Sequence, residues 1–303
     1  MVGDPRSIFW FVLVVAAIVT AGCDLLPEYR DRNPVAPDQS ADGFVRFLRA
    51  DRFPGGELDD FPRFAVVLYD HNPERSLGFL GYSAGDFQRL EIGYTMPNHL
   101  YLVEAKGGRP RFALNIGTPG AGGVSTQAAE LSSLGAEYIV HMGTCMKLGD
   151  ESLPGPPIIS VGSYKDGAAV MLSTPDRNGR IAFPHSELTG CLAEHLPDHE
   201  TGVGYTSPII YYQPESLIRR LLVDRRIGNN PRIDYLEMEQ APFFETCFRA
   251  NVAAASVVVG SDSTFLNENG VMRAFADGDA HREVWDRALG GVLHAFATLD
   301  AKN

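Results

Sequence analysis

The sequence predicts a three-layer α/β/α domain, with helices on both faces of a central mixed, largely parallel sheet. Three observations carry that prediction. Short apolar, β-branched runs recur along the chain, as expected of strands covered on both faces. Segments with helical periodicity alternate with them. Glycine-rich or polar turns stand where strand meets helix, which is where such folds build small-molecule sites.

In order, Phe64–Tyr69, Arg111–Gly117, Tyr138–Met142, Pro157–Ser163 and Val252–Gly260 read as strands. Ser125–Leu134 reads as a helix with Ser125 near its N-cap and Gly135 just past its end. Ala241–Ala250 reads as a second helix and Ala280–Leu299 as a long amphipathic one. In the last, Trp285, Ala288, Leu289, Val292, Leu293 and Phe296 share a face. There is no internal repeat and no central linker, so residues 46–303 read as one domain.

The 303 residues are 45% apolar and 21% charged, enough for a sizeable core. The net charge of −12 repels phosphate backbones and argues against nucleic-acid binding. Ile8–Ala21 is an apolar run of signal-peptide length, shorter than a spanning helix needs. It ends in Val19-Thr20-Ala21-Gly22-Cys23, which resembles the lipobox of bacterial lipoproteins, with Cys23 as the lipidated residue. Residues 1–22 are thus a signal peptide or, alternatively, an uncleaved membrane anchor; either holds the body at a membrane, outside the cytoplasm. Residues 23–45, rich in proline and charge, read as a flexible tether. Cys145, Cys191 and Cys247 have no zinc-type spacing; they read as small buried residues, with one disulfide left open.

Five segments carry candidate chemistry. Gly117–Thr126 (GTPGAGGVST) lies between a strand and a helix. Glycines let backbone N–H groups approach an anion, and the next helix points its positive end there. A plain tight turn is the alternative; the spacing is not a dinucleotide fingerprint. One strand ends in His141-Met142-Gly143-Thr144-Cys145, and the first ends in Tyr69-Asp70-His71-Asn72-Pro73-Glu74-Arg75. Glu237-Met238-Glu239 precedes a helix, where the macrodipole alone accommodates an acid. Val257–Gly260 delivers Ser261-Asp262, which turn capping alone would also explain.

Together these segments resemble the nucleoside phosphorylase and nucleosidase superfamily, over most of residues 64–303. The resemblance implies cleavage of the N-glycosidic bond of a nucleoside by phosphorolysis, giving base and ribose 1-phosphate. Inorganic phosphate is then the co-substrate, and no metal or organic cofactor is implied. Gly120, Gly122, Gly123, Ser125, Thr144 and Arg75 match phosphate-binding positions, with Pro73 beside Arg75 in the same motif. His141 stands where relatives carry arginine, and a neutral imidazole does not replace a forked, permanent cation. Glu237, Met238 and Glu239 match the ribose-binding acid motif. Asp262 matches the residue that shares a proton with N7 of a purine, and so favours purines. Tyr211, Tyr212 and Gln213 fall where relatives hold the base. Relatives are homo-oligomers, so the same is expected here. The histidine segment that reaches the 5′ hydroxyl in many relatives has no match before Phe64. Two alternatives stay open: a nucleosidase using water, and a tethered nucleoside-binding lipoprotein without chemistry.

Overall fold

The computed structural model describes residues 41–70, 72–92, 99–149, 152–165, 180–208, 214–227 and 231–302. The leader with Cys23, most of the tether, and Tyr211, Tyr212 and Gln213 lie outside the described residues. The strands are β1 (Phe64–Leu68), β2 (Phe87–Glu91), β3 (His99–Val103), β4 (Phe112–Ile116), β5 (Tyr138–Leu148) and β6 (Ile158–Tyr164). They continue with β7 (Ile181–Ala182), β8 (Glu200–Thr206), β9 (Tyr235–Glu237), β10 (Ala253–Asn267) and β11 (Gly270–Phe275). The helices are α1 (Ala41–Phe47), α2 (Pro73–Phe79), α3 (Ala121–Leu134), α4 (Ser186–His195), α5 (Glu215–Asp224), α6 (Gln240–Arg249) and α7 (Gly278–Asp300).

One mixed sheet runs β11-β10-β6-β8-β9-β5-β1-β4-β3-β2, with β7 beside β6. At its centre β1 pairs parallel with both β4 and β5, and β5 pairs parallel with β10. Because β10 also bonds β6, the strands β10, β6, β8, β9 and β5 close on themselves as a small barrel. Alternation along β1 feeds two cores. Phe64, Val66 and Leu68 pack with Leu289, Val292 and Phe296 of α7, while Ala65 and Val67 pack with Val124 and Leu131 of α3 and Phe243 of α6. Each such large side chain contributes about 1.5–3 kcal/mol by leaving water. The three-layer α/β/α class is therefore the observed one.

Several boundaries differ from expectation, for local reasons. α3 begins at Ala121, not Ser125, because Gly120 adopts φ 90 as its N-cap and turns the chain into the helix early. Gly122, Gly123 and Ser125 are thus helical residues rather than members of an open loop. α1 starts at Ala41 with Val45 buried against the α3 core, so the helix overlaps the segment read as tether. β5 and β10 run on to Leu148 and Asn267, past the expected ends. Their register shifts between Gly260 and Asp262, a bulge at Ser261 that re-aims the side chains beside it. Cys145, Cys191 and Cys247 are free and buried.

Candidate active site

A cleft of about 740 Å³ opens where β1 and β4 end, between the β5 and β10 strands and the first turns of α7. Arg75, Thr144, Met238, Glu239 and Asp262 line it together, drawn from four separate segments. Parallel strands deliver their C-terminal ends to one edge, which is why residues so distant in sequence converge there.

Glu239 reaches the cleft from the N-cap position of α6 without capping that helix. Its Oε1 accepts from Gly120 N at 2.7 Å and its Oε2 from Met238 N at 3.2 Å. The residue is 7% exposed. Burial first, and the charge of Glu237 second, push its carboxyl up to about 7, while the two N–H bonds oppose the shift. The sign follows from proton counting: between its ordinary 4.5 and about 7 the folded chain holds the proton more tightly than the unfolded one. Stability therefore falls as pH rises through that window, by at most about 3 kcal/mol from this group. Glu130 on α3, also raised to about 7 by burial, adds to the same slope. Melting temperatures of Glu239→Gln measured from pH 5 to 8 are expected to decline less steeply than those of the wild type. Parallel slopes would show that Glu239 keeps an ordinary carboxyl.

Glu237 also borders the cleft, but its carboxylate is engaged within the protein rather than open as expected of a ribose ligand. Its Oε2 accepts from Gln240 N at 2.6 Å and from Glu239 N; its Oε1 accepts from Ser163 Oγ at 2.9 Å and from Thr206 Oγ1. Four donors occupy the carboxylate, leaving no lone pair for a sugar. Glu237 is the side-chain cap of α6, and burial raises its pKa.

The glycine segment also departs from an open cradle. The Gly120 N–H, which an anion would need, is held by Glu239. A Cβ on Gly123 would lie 2.4 Å from Thr118 O, and one on Gly117 would lie 2.5 Å from the Tyr69 ring, so close packing explains both. Gly122 is exposed on α3, and Ser125 Oγ is buried without a partner among the described residues. Gln127 folds the loop back, accepting from Thr118 N at 2.8 Å and donating to Ile116 O at 2.6 Å. Gly120, Gly122, Gly123 and Ser125 do not line the cleft.

His141 is a second correction. It is fully buried, its ring between those of Tyr69 and Phe243 at 5.2 and 5.7 Å, with Nδ1 2.8 Å from Ser256 Oγ. Burial pushes its pKa down to about 3, so it is a neutral ring of the core and contacts no cleft anion.

Asp262 sits on β10 just past the bulge. Its Oδ2 accepts from Arg273 Nε at 2.6 Å and its Oδ1 from Ser261 Oγ at 2.8 Å. Arg273 on β11 is a residue that the sequence reading missed, since only the hairpin brings it to Asp262. Arg75 donates from Nη1 to Asp286 Oδ2 at 3.0 Å. Asp286 is buried on α7 and also accepts from Ser76 Oγ at 2.9 Å. An acid beside Trp285 on an otherwise apolar face was the available signal for this pairing. His281, Arg282 and Trp285 complete the α7 wall of the cleft. Among the described residues, metal-type donors come within 4.8 Å of one another at Cys191, Glu194 and His195, outside the cleft. There His195 Nε2 already bonds Thr298 at 2.7 Å.

The fold has solved counterparts. A purine nucleoside phosphorylase from Toxoplasma gondii, in complex with immucillin-H, matches with a TM-score of 0.63 and 17% identity over 81% of this chain and 94% of that one. A uridine phosphorylase from Vibrio fischeri matches with a TM-score of 0.63 and 15% identity over 80% and 94%. At such identities the likeness concerns the fold. No curated protein matches the chain significantly. The sequence profile of the phosphorylase superfamily matches residues 83–295. That span is well over half of the chain, and the protein belongs to the phosphorylase superfamily.

Proposed function

We propose that the protein cleaves the N-glycosidic bond of a purine nucleoside by phosphorolysis, with inorganic phosphate as co-substrate and no metal or organic cofactor. The observation that carries this reading is the single cleft shared by Glu239, Met238, Asp262, Arg75 and Thr144. Glu239 keeps lone pairs beyond its two backbone donors and accepts the ribose hydroxyls; Met238 packs its thioether on the sugar. Asp262 shares a proton with the departing base, which the oxocarbenium-like transition state requires of a poor leaving group. Arg75 and the Thr144 hydroxyl face the attacking oxyanion. A small-molecule ligand also agrees with the immucillin-H held by the Toxoplasma neighbour.

One observation favours hydrolysis as a second reading: His141 is buried and neutral, and Gly120 N–H is already bonded, which removes two expected phosphate donors. Release of base from inosine and adenosine, with and without phosphate, separates the two. Phosphate-dependent release with ribose 1-phosphate formed is the expected result; equal rates without phosphate would assign hydrolysis.

Lipid anchoring through Cys23, an extracytoplasmic body and homo-oligomeric assembly belong to the same proposal. Support for the anchor is the apolar leader and the small residues before Cys23. No helix among the described residues is long and apolar enough to cross a membrane. Labelled palmitate is expected to enter the wild type and not Cys23→Ser; equal labelling would exclude Cys23.

A further inference from the structure

A side-chain cluster away from the cleft gathers three kinds of metal donor. Cys191, Glu194 and His195 stand on α4 at i, i+3 and i+4, so they share one helical face. A thiol sulfur, a carboxylate oxygen and a ring nitrogen there lie within 4.8 Å of one another. Close packing of α4 on α7 frames the cluster. A Cβ on Gly291 would lie 2.4 Å from Leu196 Cδ2 and 2.9 Å from His195 O, so only glycine lets α7 come so near. The approach brings Cys191 Sγ to 3.4 Å from Ala295 O and His195 Nε2 to 2.7 Å from Thr298 Oγ1. His294, on the same stretch of α7, stacks its ring 6.2 Å from that of His195.

Several features make these groups a site rather than a chance meeting. Cys191 is 4% exposed, and no disulfide takes its sulfur. Neither the Glu194 carboxylate nor His195 Nδ1 has a hydrogen-bond or ion-pair partner among the described residues. Thr298 holds the other ring nitrogen of His195, which is how proteins orient an imidazole toward a metal. Glu194 and His195 close α4, where the negative end of the macrodipole favours a cation. Thiolate, imidazole and carboxylate together suit zinc and its borderline-soft neighbours; calcium and magnesium take oxygen. A tetrahedral ion at about 2.0–2.3 Å from each donor needs them roughly 3.3–3.8 Å apart. Small rotations of the exposed Glu194 and the half-buried His195 supply that contraction.

We propose that Cys191, Glu194 and His195 bind a borderline-soft divalent cation of the zinc class at the seam of α4 and α7, with water in the fourth position. As the sulfur–metal bond forms, the thiol proton passes to solvent. None of the three donors borders the cleft, so the ion is structural and the site stands whatever the cleft binds.

Titration of the chelator-treated full chain with Co(II), followed by absorbance, tests it. Uptake of one equivalent with a thiolate-to-cobalt charge-transfer band is expected, and Zn(II) should compete for the same site. Cys191→Ser is expected to lose the band. Glu194→Gln and His195→Gln should each weaken Co(II) binding by more than about tenfold. Thr298→Val, which frees the His195 ring, should weaken it by about tenfold and keep the band. Glu194 is exposed, so its substitution leaves the fold intact even if that of the buried Cys191 does not. No band at saturating Co(II), a band that survives Cys191→Ser, or an affinity unchanged in both Glu194→Gln and His195→Gln overturns the site.

Discussion

Asp262→Asn is expected to lower kcat for a purine nucleoside by about 10²–10⁴-fold, the range that a positioned proton-transfer group supplies. The amide keeps the size and one acceptor of the carboxylate, so the Ser261 and Arg273 contacts at 2.8 and 2.6 Å have no steric reason to break. KM should therefore change little, because Glu239 and Met238, which hold the sugar in this reading, are untouched. The hairpin explains why the residue is poised. β10–β11 pairing sets Asp262 opposite Phe275 and Arg273 opposite Thr264, which makes the acid and the guanidinium diagonal neighbours on one face. A kcat within threefold of wild type, measured as base release at saturating nucleoside and phosphate, would take Asp262 out of the chemistry.

Glu245→Gln is expected to cost about 3–5 kcal/mol of stability, the largest effect that we foresee on the fold. Lys165 Nζ lies 3.0 Å from Glu245 Oε1, and the two side chains are 2% and 0% exposed. Removing the Glu245 charge takes away an ion-pair partner that offsets the desolvation of Lys165 in a low-dielectric interior. For a domain of this size that corresponds to a fall in Tm of about 10 °C. The double substitution Lys165→Met with Glu245→Leu removes both charges and should recover most of the loss. A double variant as unstable as the single one would mean that the pair matters for something other than charge. The position matters for function too, since α6 carries Glu245 in its middle and starts at Glu239.

The apolar runs and helical periodicities determined the α/β class, the long C-terminal helix and the neighbourhood of the acid motif. They could do so because core-facing side chains must repeat with the period of the element that bears them. Met238, Glu239 and Arg75 were legible because each lies where a strand meets a turn or a helix; Thr144 and Asp262 were legible as the ends of apolar runs, although β5 and β10 continue past them, and all five border the cleft. The short strands β2 and β9 were not legible: β2 buries only Leu90 fully, and β9 has three residues.

Tertiary contacts alone decided how the polar groups are used. Glu237 and Glu239 are two residues apart, alike in chemistry and both on the cleft wall, yet one is filled by four internal donors and the other keeps lone pairs beyond its two backbone donors. His141 stands at a position that the motif assigns to an anion ligand, but its strand turns it into the core beside Ser256. α3 begins at Ala121, four residues before the expected Ser125, and its N-cap Gly120 gives its N–H to Glu239. Arg273 and Arg282 join the site from a hairpin and a helix with no local signal, and Asp286 was marked only as an acid on an otherwise apolar helix face. Periodicity reports which side of an element is buried; which donor meets which acceptor depends on partners that lie far off in the chain, and only the closed fold brings them within bonding distance.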